Sequence, residues 1–441
     1  MGWKHIVAAA NCLSLAAAHP SPVIERRDFI GSVVSGLGAD ATNVAKVASA
    51  FLDGVEATVP TATISTFPQA TSALTNVFTK GRNFLDTIPS LIEAGFDPND
   101  IPSIIEGYSP ADNSINNIDP PPNKKIYPES SPSDPAYSLP ESTLLGSIHI
   151  PNTFTYGTKP PVILFPGTGV PGGITFAYTY ARLLAKLPYA DPLWLNIPDS
   201  SLNDAQLTAE HAAYAINYIA SLTSHNVTII TFSQGSLNLQ WALTFFPSTR
   251  PLTNQLIALS PDYHGTVNAA LICPTFPNLG CTPSVLQQFP SSNFISTLFA
   301  HGGASAYIPT TSIRSATDQI VQPQTGPNPS GVLQDERNVG VTNYLVQEVC
   351  PASPAGTLVT HEGILYNSIA YALTLDALQH GRPAQLSRVE DLGKICAEIV
   401  AEGMSLADLV ATEGSFAVFF GNFLAYTPRT SVEPKVMGYA V

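Results

Sequence analysis

Positive charge is scarce in this chain: 19 Lys and Arg against 33 Asp and Glu in 441 residues leave a formal net charge of −14. Charged residues of either sign make up only 12%. There is no basic block and no Arg/Lys stripe, so a polyanion would meet repulsion instead of releasing counterions, which excludes nucleic-acid binding. Long apolar runs are missing too. The longest, residues 6–18, is interrupted by Asn11, Cys12 and Ser14 and is too short to span a bilayer, so no transmembrane segment is expected. The Gly-rich stretch Pro166-Gly-Thr-Gly-Val-Pro-Gly-Gly173 lacks the Lys of a phosphate loop and the spacing of a dinucleotide fingerprint. No His lies at ligand spacing from a Cys, which argues against zinc. Neither a metal nor an organic cofactor is expected.

What is present fits an exported protein. Lys4, the apolar stretch and Ala16-Ala17-Ala18 form a secretory signal peptide over residues 1–18, cut before His19. Arg26-Arg27 is a dibasic point that would make residues 19–27 a short propeptide. Cys12 leaves with the signal, so Cys273, Cys281, Cys350 and Cys396 remain, an even set suited to an oxidising compartment. Three pairings are open. Nearness favours Cys273 with Cys281, which leaves Cys350 with Cys396. The expected location is extracellular.

A composition with 44% hydrophobic residues supplies a sizeable core. Residues 28–109 carry apolar side chains at helical spacing between Pro and Gly, an α-helical N-terminal extension that is either a pro-region or a cap. Residues 110–140 are rich in Pro, Asn, Ser and Asp and read as a linker, with a second dibasic pair at Lys124-Lys125. Residues 141–441 differ. Short runs rich in Val, Ile and Leu (162–165, 193–197, 227–232, 256–259, 312–315) alternate with helical stretches (176–187, 204–222, 237–246). That alternation predicts an α/β fold, a mainly parallel sheet covered by helices.

The sharpest local signal is Val227-Thr-Ile-Ile-Thr-Phe-Ser-Gln-Gly-Ser236, where a buried strand ends at Ser233 and an amphipathic helix follows. Ser233 heads the single Ser-x-Gly of the chain, although Thr231 stands in place of the usual first Gly. A strand–turn–helix junction of this type lifts a Ser hydroxyl above a sheet as a nucleophile, whereas a plain helix N-cap is the structural alternative. A hydroxyl needs an imidazole to take its proton and a carboxylate to orient that imidazole. In this architecture they follow as Asp/Glu and then His. Asp318, after a predicted strand, and His361, in a loop before a helix, satisfy that order; His264 and His301 precede Asp318, and His380 sits at a helix C-terminus. The oxyanion would meet the N–H of Gln234 and the N–H and hydroxyl of Thr168.

These residues lie in ordered blocks: Ser133-Asp-Pro-Ala-Tyr137, Pro166-Gly-Thr-Gly169, Thr231-Phe-Ser-Gln-Gly235, Trp241-Ala-Leu-Thr-Phe-Phe-Pro-Ser248, Pro261-Asp-Tyr-His-Gly-Thr-Val267, Pro283-Ser-Val-Leu-Gln-Gln288, Ile308-Pro-Thr-Thr311 and Ser315-Ala-Thr-Asp-Gln-Ile-Val-Gln-Pro-Gln324. In them the chain resembles the Candida antarctica lipase B family of α/β-hydrolases, which shares the Thr-x-Ser-Gln-Gly departure. The likeness runs from about residue 133 to about residue 400. It implies an α/β-hydrolase fold, a triad of Ser233, Asp318 and His361, and an oxyanion hole of Thr168 and Gln234. It also implies an acyl pocket floored by Asp262 and Gln288 as a hydrogen-bonded pair, narrowed by Val285 and Val321, with Ile320 at its mouth. Phe232 replaces a Trp of the family's archetype beside the alcohol pocket, which implies a roomier alcohol site. Cys350 and Cys396 match a family pair. Residues 28–109 have no counterpart in that archetype.

The expectation is a secreted serine hydrolase of carboxylic esters, a triacylglycerol lipase acting through an acyl-enzyme on Ser233 at a lipid–water interface. Its alternatives are a short-chain or cutinase-like esterase indifferent to interfaces, and a non-catalytic lipid- or wall-binding protein.

Overall fold

A computed structural model describes residues 57–78, 87–96, 110–273 and 280–441, with isolated positions 46, 50, 53 and 54. The expected signal peptide and short propeptide lie outside the described residues.

Among the described residues seven strands form one sheet: β1 (Ile148–His149), β2 (Pro161–Phe165), β3 (Asp191–Leu195), β4 (Val227–Phe232), β5 (Thr253–Leu259), β6 (Thr310–Arg314) and β7 (Val341–Leu345). Their spatial order is β1-β3-β2-β4-β5-β6-β7, with β1 antiparallel to β3 and all other pairs parallel. The central strands β2 and β4 are buried at every position, as expected when helices cover both faces of a sheet and leave no solvent side for polar alternation. Sequence pattern predicts five of the seven. β1 is two residues long, and β7 is only partly buried with Thr and Asn in it, so neither carries a strong apolar signal.

Helices α1 (Phe67–Phe78), α2 (Thr87–Glu93), α3 (Ala205–Thr223), α4 (Gln234–Phe245), α5 (Ser368–His380) and α6 (Leu406–Ala425) are the ones that matter for the site. Asp204 caps α3 by accepting from the Gln206 N–H, and Ser405 with Asp408 forms a reciprocal capping box at α6. The stretch expected as one helix over 176–187 is two short helices, Gly172–Phe176 and Tyr180–Leu184, because Thr179 leaves helical geometry at φ −99°, ψ −111°.

Residues 110–140 have little regular structure, but they lie against the sheet unit. Ile126 and Tyr137 are buried in its main core. Polar groups of α3 hold the backbone: Glu210 accepts from Ser138 N at 2.9 Å and Leu139 N at 3.0 Å, Tyr218 donates to Pro120 O at 2.6 Å, and Lys124 N donates to Ser221 Oγ at 2.9 Å. Pro and Asn frequency alone does not reveal such partners, because they come from a helix far along the chain.

A second core lies over the C-terminal ends of the strands. In it Ala70, Leu74 and Val77 of α1 and Ile88, Leu91 and Ile92 of α2 pack with Leu409, Phe416, Phe420 and Phe423 of α6. The disulfides pair Cys273 with Cys281 and Cys350 with Cys396.

Candidate active site

The register pairs Phe165 with Thr231 and Phe232 with Leu259, so β2, β4 and β5 end level with one another. In parallel α/β sheets the loops leaving such ends build the ligand site. Ser233 makes the turn from β4 into α4 with φ 54° and ψ −132°, a backbone state that costs a non-glycine residue about 1–3 kcal/mol. It is held by two hydrogen bonds: Ser233 N donates to Leu259 O at 3.0 Å, and Ser233 O accepts from Ser236 N at 2.9 Å. A Cβ on Gly235 would stand 2.6 Å from Pro166 O and 2.7 Å from Phe165 O, so α4 can start this close to β2 only without one. Thr231, the departure from the usual motif, pairs its hydroxyl with that of Ser236 at 2.7 Å and so ties the strand to the helix across the turn.

Gly235→Ala is therefore expected to destabilise the fold by about 1–3 kcal/mol through overpacking against backbone that cannot yield. A urea midpoint lowered without a change in slope checks this.

Asp318 and His361 meet from two further loops. His361 Nδ1 lies 2.8 Å from Asp318 Oδ2, and both side chains are buried. The other Asp318 oxygen accepts from Ile320 N at 2.8 Å and Val321 N at 2.7 Å, which fixes the carboxylate. Gln319 Oε1 accepts from the His361 N–H at 2.8 Å, and the Phe232 ring lies 4.8 Å from the imidazole. Burial opposes protonation of His361, but the charge and hydrogen bond of Asp318 outweigh it and raise the imidazole pKa above its ordinary 6.5. Ser233 and His361 line one cavity. The Ser233 hydroxyl forms no hydrogen bond among the described residues.

A polar cluster stands in the same wall. Thr168 Oγ1 donates to Gln234 Oε1 at 2.5 Å, and Gln288 Nε2 donates to the same oxygen at 3.1 Å and to Ser284 O at 3.1 Å. These bonds fix the loop after β2 against the N-terminus of α4. Val285, Gln288 and Ile320 line the cavity with Thr168 and Phe232. Asp262 and Val321 do not: both are buried, at 0% and 1% exposure, behind the wall.

The expected Asp262–Gln288 pair is absent, and this expectation is corrected. The Gln288 amide is taken up by Gln234 and its own helix, and neither Asp262 oxygen bonds to another residue among those described. Burial pushes the Asp262 carboxyl up to about 7, so it resides there largely as the neutral acid at slightly acid pH. Val321 contributes its backbone N–H to Asp318 instead of a side chain to the cavity.

Several lining residues escape the sequence reading: Thr266, Ala269, Ile272, Glu362, Leu365, and Ser415, Phe416 and Phe419 of α6. Glu362 was visible as the neighbour of His361. For α6, the signal was a Ser405-capped apolar helix with Phe at 416, 419, 420 and 423, but periodicity does not say which face meets a cavity. Among the described residues no group of His, Cys, Asp and Glu has the arrangement to hold a metal ion, and no helix is long and apolar enough to cross a membrane.

This geometry can be set beside known proteins. No family profile matches the chain. Lipase B of Pseudozyma antarctica is 34% identical over 316 residues, covering 70% of this chain and 87% of the relative. The crystal structure of Aspergillus fumigatus lipase B superposes with a TM-score of 0.84 at 41% identity, covering 93% of this chain and 99% of that one. The 93% share of this chain is larger than residues 110–441 alone can supply, so the similarity reaches into the N-terminal helical region. With the strained Ser233 turn, the parallel sheet and this extent of likeness in agreement, the chain belongs to the lipase B family and is a carboxylic ester hydrolase of the α/β-hydrolase fold.

Proposed function

We propose that the protein is a secreted acylglycerol lipase whose chemistry runs through an acyl-enzyme on Ser233. The observation that carries this reading is the strained Ser233 turn in the same cavity as a buried, hydrogen-bonded His361–Asp318 pair. Ser233 Oγ attacks the ester carbon while His361 Nε2 takes its proton. The carbonyl oxygen becomes an oxyanion facing the N–H groups of Thr168 and of Gln234, the latter at the N-terminus of α4. His361 then returns the proton to the departing alcohol. Water, activated by the same imidazole, releases the acid and restores Ser233. Asp318 keeps the proton on Nδ1 and stabilises the imidazolium.

Apolar side chains such as Val170, Val285, Ile320 and Phe416 suit an acyl chain. The two disulfides suit an oxidising compartment. A fluorophosphonate probe followed by peptide mapping tests the assignment: a single adduct on Ser233 is expected, and labelling of another Ser, or of none, would refute it. Rates on emulsified long-chain triacylglycerol and on dissolved butyrate esters then test the interface. A steep rise above the solubility limit is the expected result for a lipase.

A further inference from the structure

Next to His361 the cavity wall carries an acid that the reaction above does not use. Among the described residues that line it, Glu362 and His361 are the two with ionisable side chains, and the rest of that wall is largely apolar. Glu362 is held in place: its Oε2 accepts from Gln319 Nε2 at 2.7 Å. Because Gln319 Oε1 is already taken by the His361 N–H at 2.8 Å, the orientation of that amide follows from its two partners. One glutamine thus bridges the backbone of the imidazole-bearing residue and the carboxyl beside it.

His361 must hand its proton to the departing alkoxide, so the alcohol part of an ester sits against the imidazole and within the neighbourhood of the next residue. We propose that Glu362 is a specificity-determining residue that favours esters whose alcohol part bears a further hydroxyl group, as partial glycerides and glycol esters do. The proposal rests on the assignment of Ser233 and His361 given above.

A hydroxyl entering a dry cavity loses its water and needs a replacement partner. A carboxyl supplies an acceptor, and in its acid form a donor as well. The surroundings favour the acid form. Burial raises the Glu362 pKa. Glu413 of α6, which accepts from Thr360 Oγ1 at 2.5 Å and Tyr366 OH at 2.7 Å, is pushed up to about 8 by burial and then by Glu362. Two such carboxyls do not both ionise readily. A wall with a buried polar group of this kind discriminates against an analogue that lacks the matching hydroxyl.

The test compares kcat/KM for 2-hydroxyethyl butyrate and 2-methoxyethyl butyrate, which share an acyl group and similar leaving-group electronics. The native enzyme is expected to prefer the hydroxyl ester by about tenfold, the effect of one desolvated hydrogen bond. Glu362→Leu is expected to bring the ratio near one, and Glu362→Gln, which keeps a donor and an acceptor, to retain part of it. No preference in the native enzyme overturns the proposal, as does a ratio unchanged in Glu362→Leu or an equal loss on both esters. Should the Leu variant not fold, Glu362→Ala takes its place and the native ratio still decides. Failure of the underlying assignment looks different, since Ser233→Ala would then still turn over both esters.

Discussion

Ser233→Ala is expected to lower kcat for a dissolved butyrate ester by about 10⁵–10⁶-fold, the scale seen when a serine hydrolase loses its nucleophile. Thermal unfolding should barely move. The substitution removes only Oγ, which bonds to nothing among the described residues, and leaves the backbone at φ 54° with the Leu259 and Ser236 bonds that impose it. The activity that survives would come from the oxyanion donors acting on a bound ester attacked by water. A variant within tenfold of the native rate, with an intact fold, would remove Ser233 from the mechanism.

Asp318→Asn is the second large effect. In the proposed mechanism the carboxylate accepts the Nδ1 proton across the 2.8 Å contact, which leaves Nε2 free to take the proton of Ser233. An amide can instead donate to Nδ1 and place the proton on Nε2, the tautomer that cannot act as base, so kcat should fall by about 10³–10⁴-fold. The residual activity should also change its pH profile. A general base works in its neutral form, so with His361 in that proposed role native activity is expected above the His361 pKa and is lost as pH falls through it. Asp318 raises that pKa from its ordinary 6.5, so the native acid limb is expected on the alkaline side of an ordinary imidazole, and without the carboxylate it should shift downward. A limb that stays in place would separate Asp318 from the titration of His361. The stability linkage has the opposite sense. A raised imidazole pKa contributes stability fully below the unfolded value of about 6.5 and loses it as pH rises through the folded value, so the Asn variant should be weakened more at pH 5 than at pH 9.

The parts of the site that could be read from the chain were those written into local patterns. A run of six strand residues, a Ser at its end, a Gly two positions on and an apolar helix define the Ser233 turn without reference to anything distant. Asp318 and His361 were legible through chain order and the surrounding blocks. What remained hidden depends on tertiary contact. Glu210, Tyr218 and Ser221 of α3 hold residues 110–140 to the sheet unit, and nothing in a Pro- and Asn-rich stretch announces those partners. Asp262 looked like a partner for Gln288 because both sit in blocks of the same pocket, yet the Gln288 amide turns to Gln234 and Ser284. The face of α6 that meets the cavity was hidden because that helix is buried along most of its length.

The apolar residues shared by α1, α2 and α6 bear on what maturation could achieve. Protease action between the N-terminal helices and the sheet would break a peptide bond but leave Leu74, Leu91, Ile92 and Phe416 in the same interior. A nicked molecule would then run as two bands under denaturing conditions while keeping a single native mass. Shedding the N-terminal piece would expose one flank of the helix that roofs the cleft, so any gain in access would come with a loss of rigidity in the wall itself.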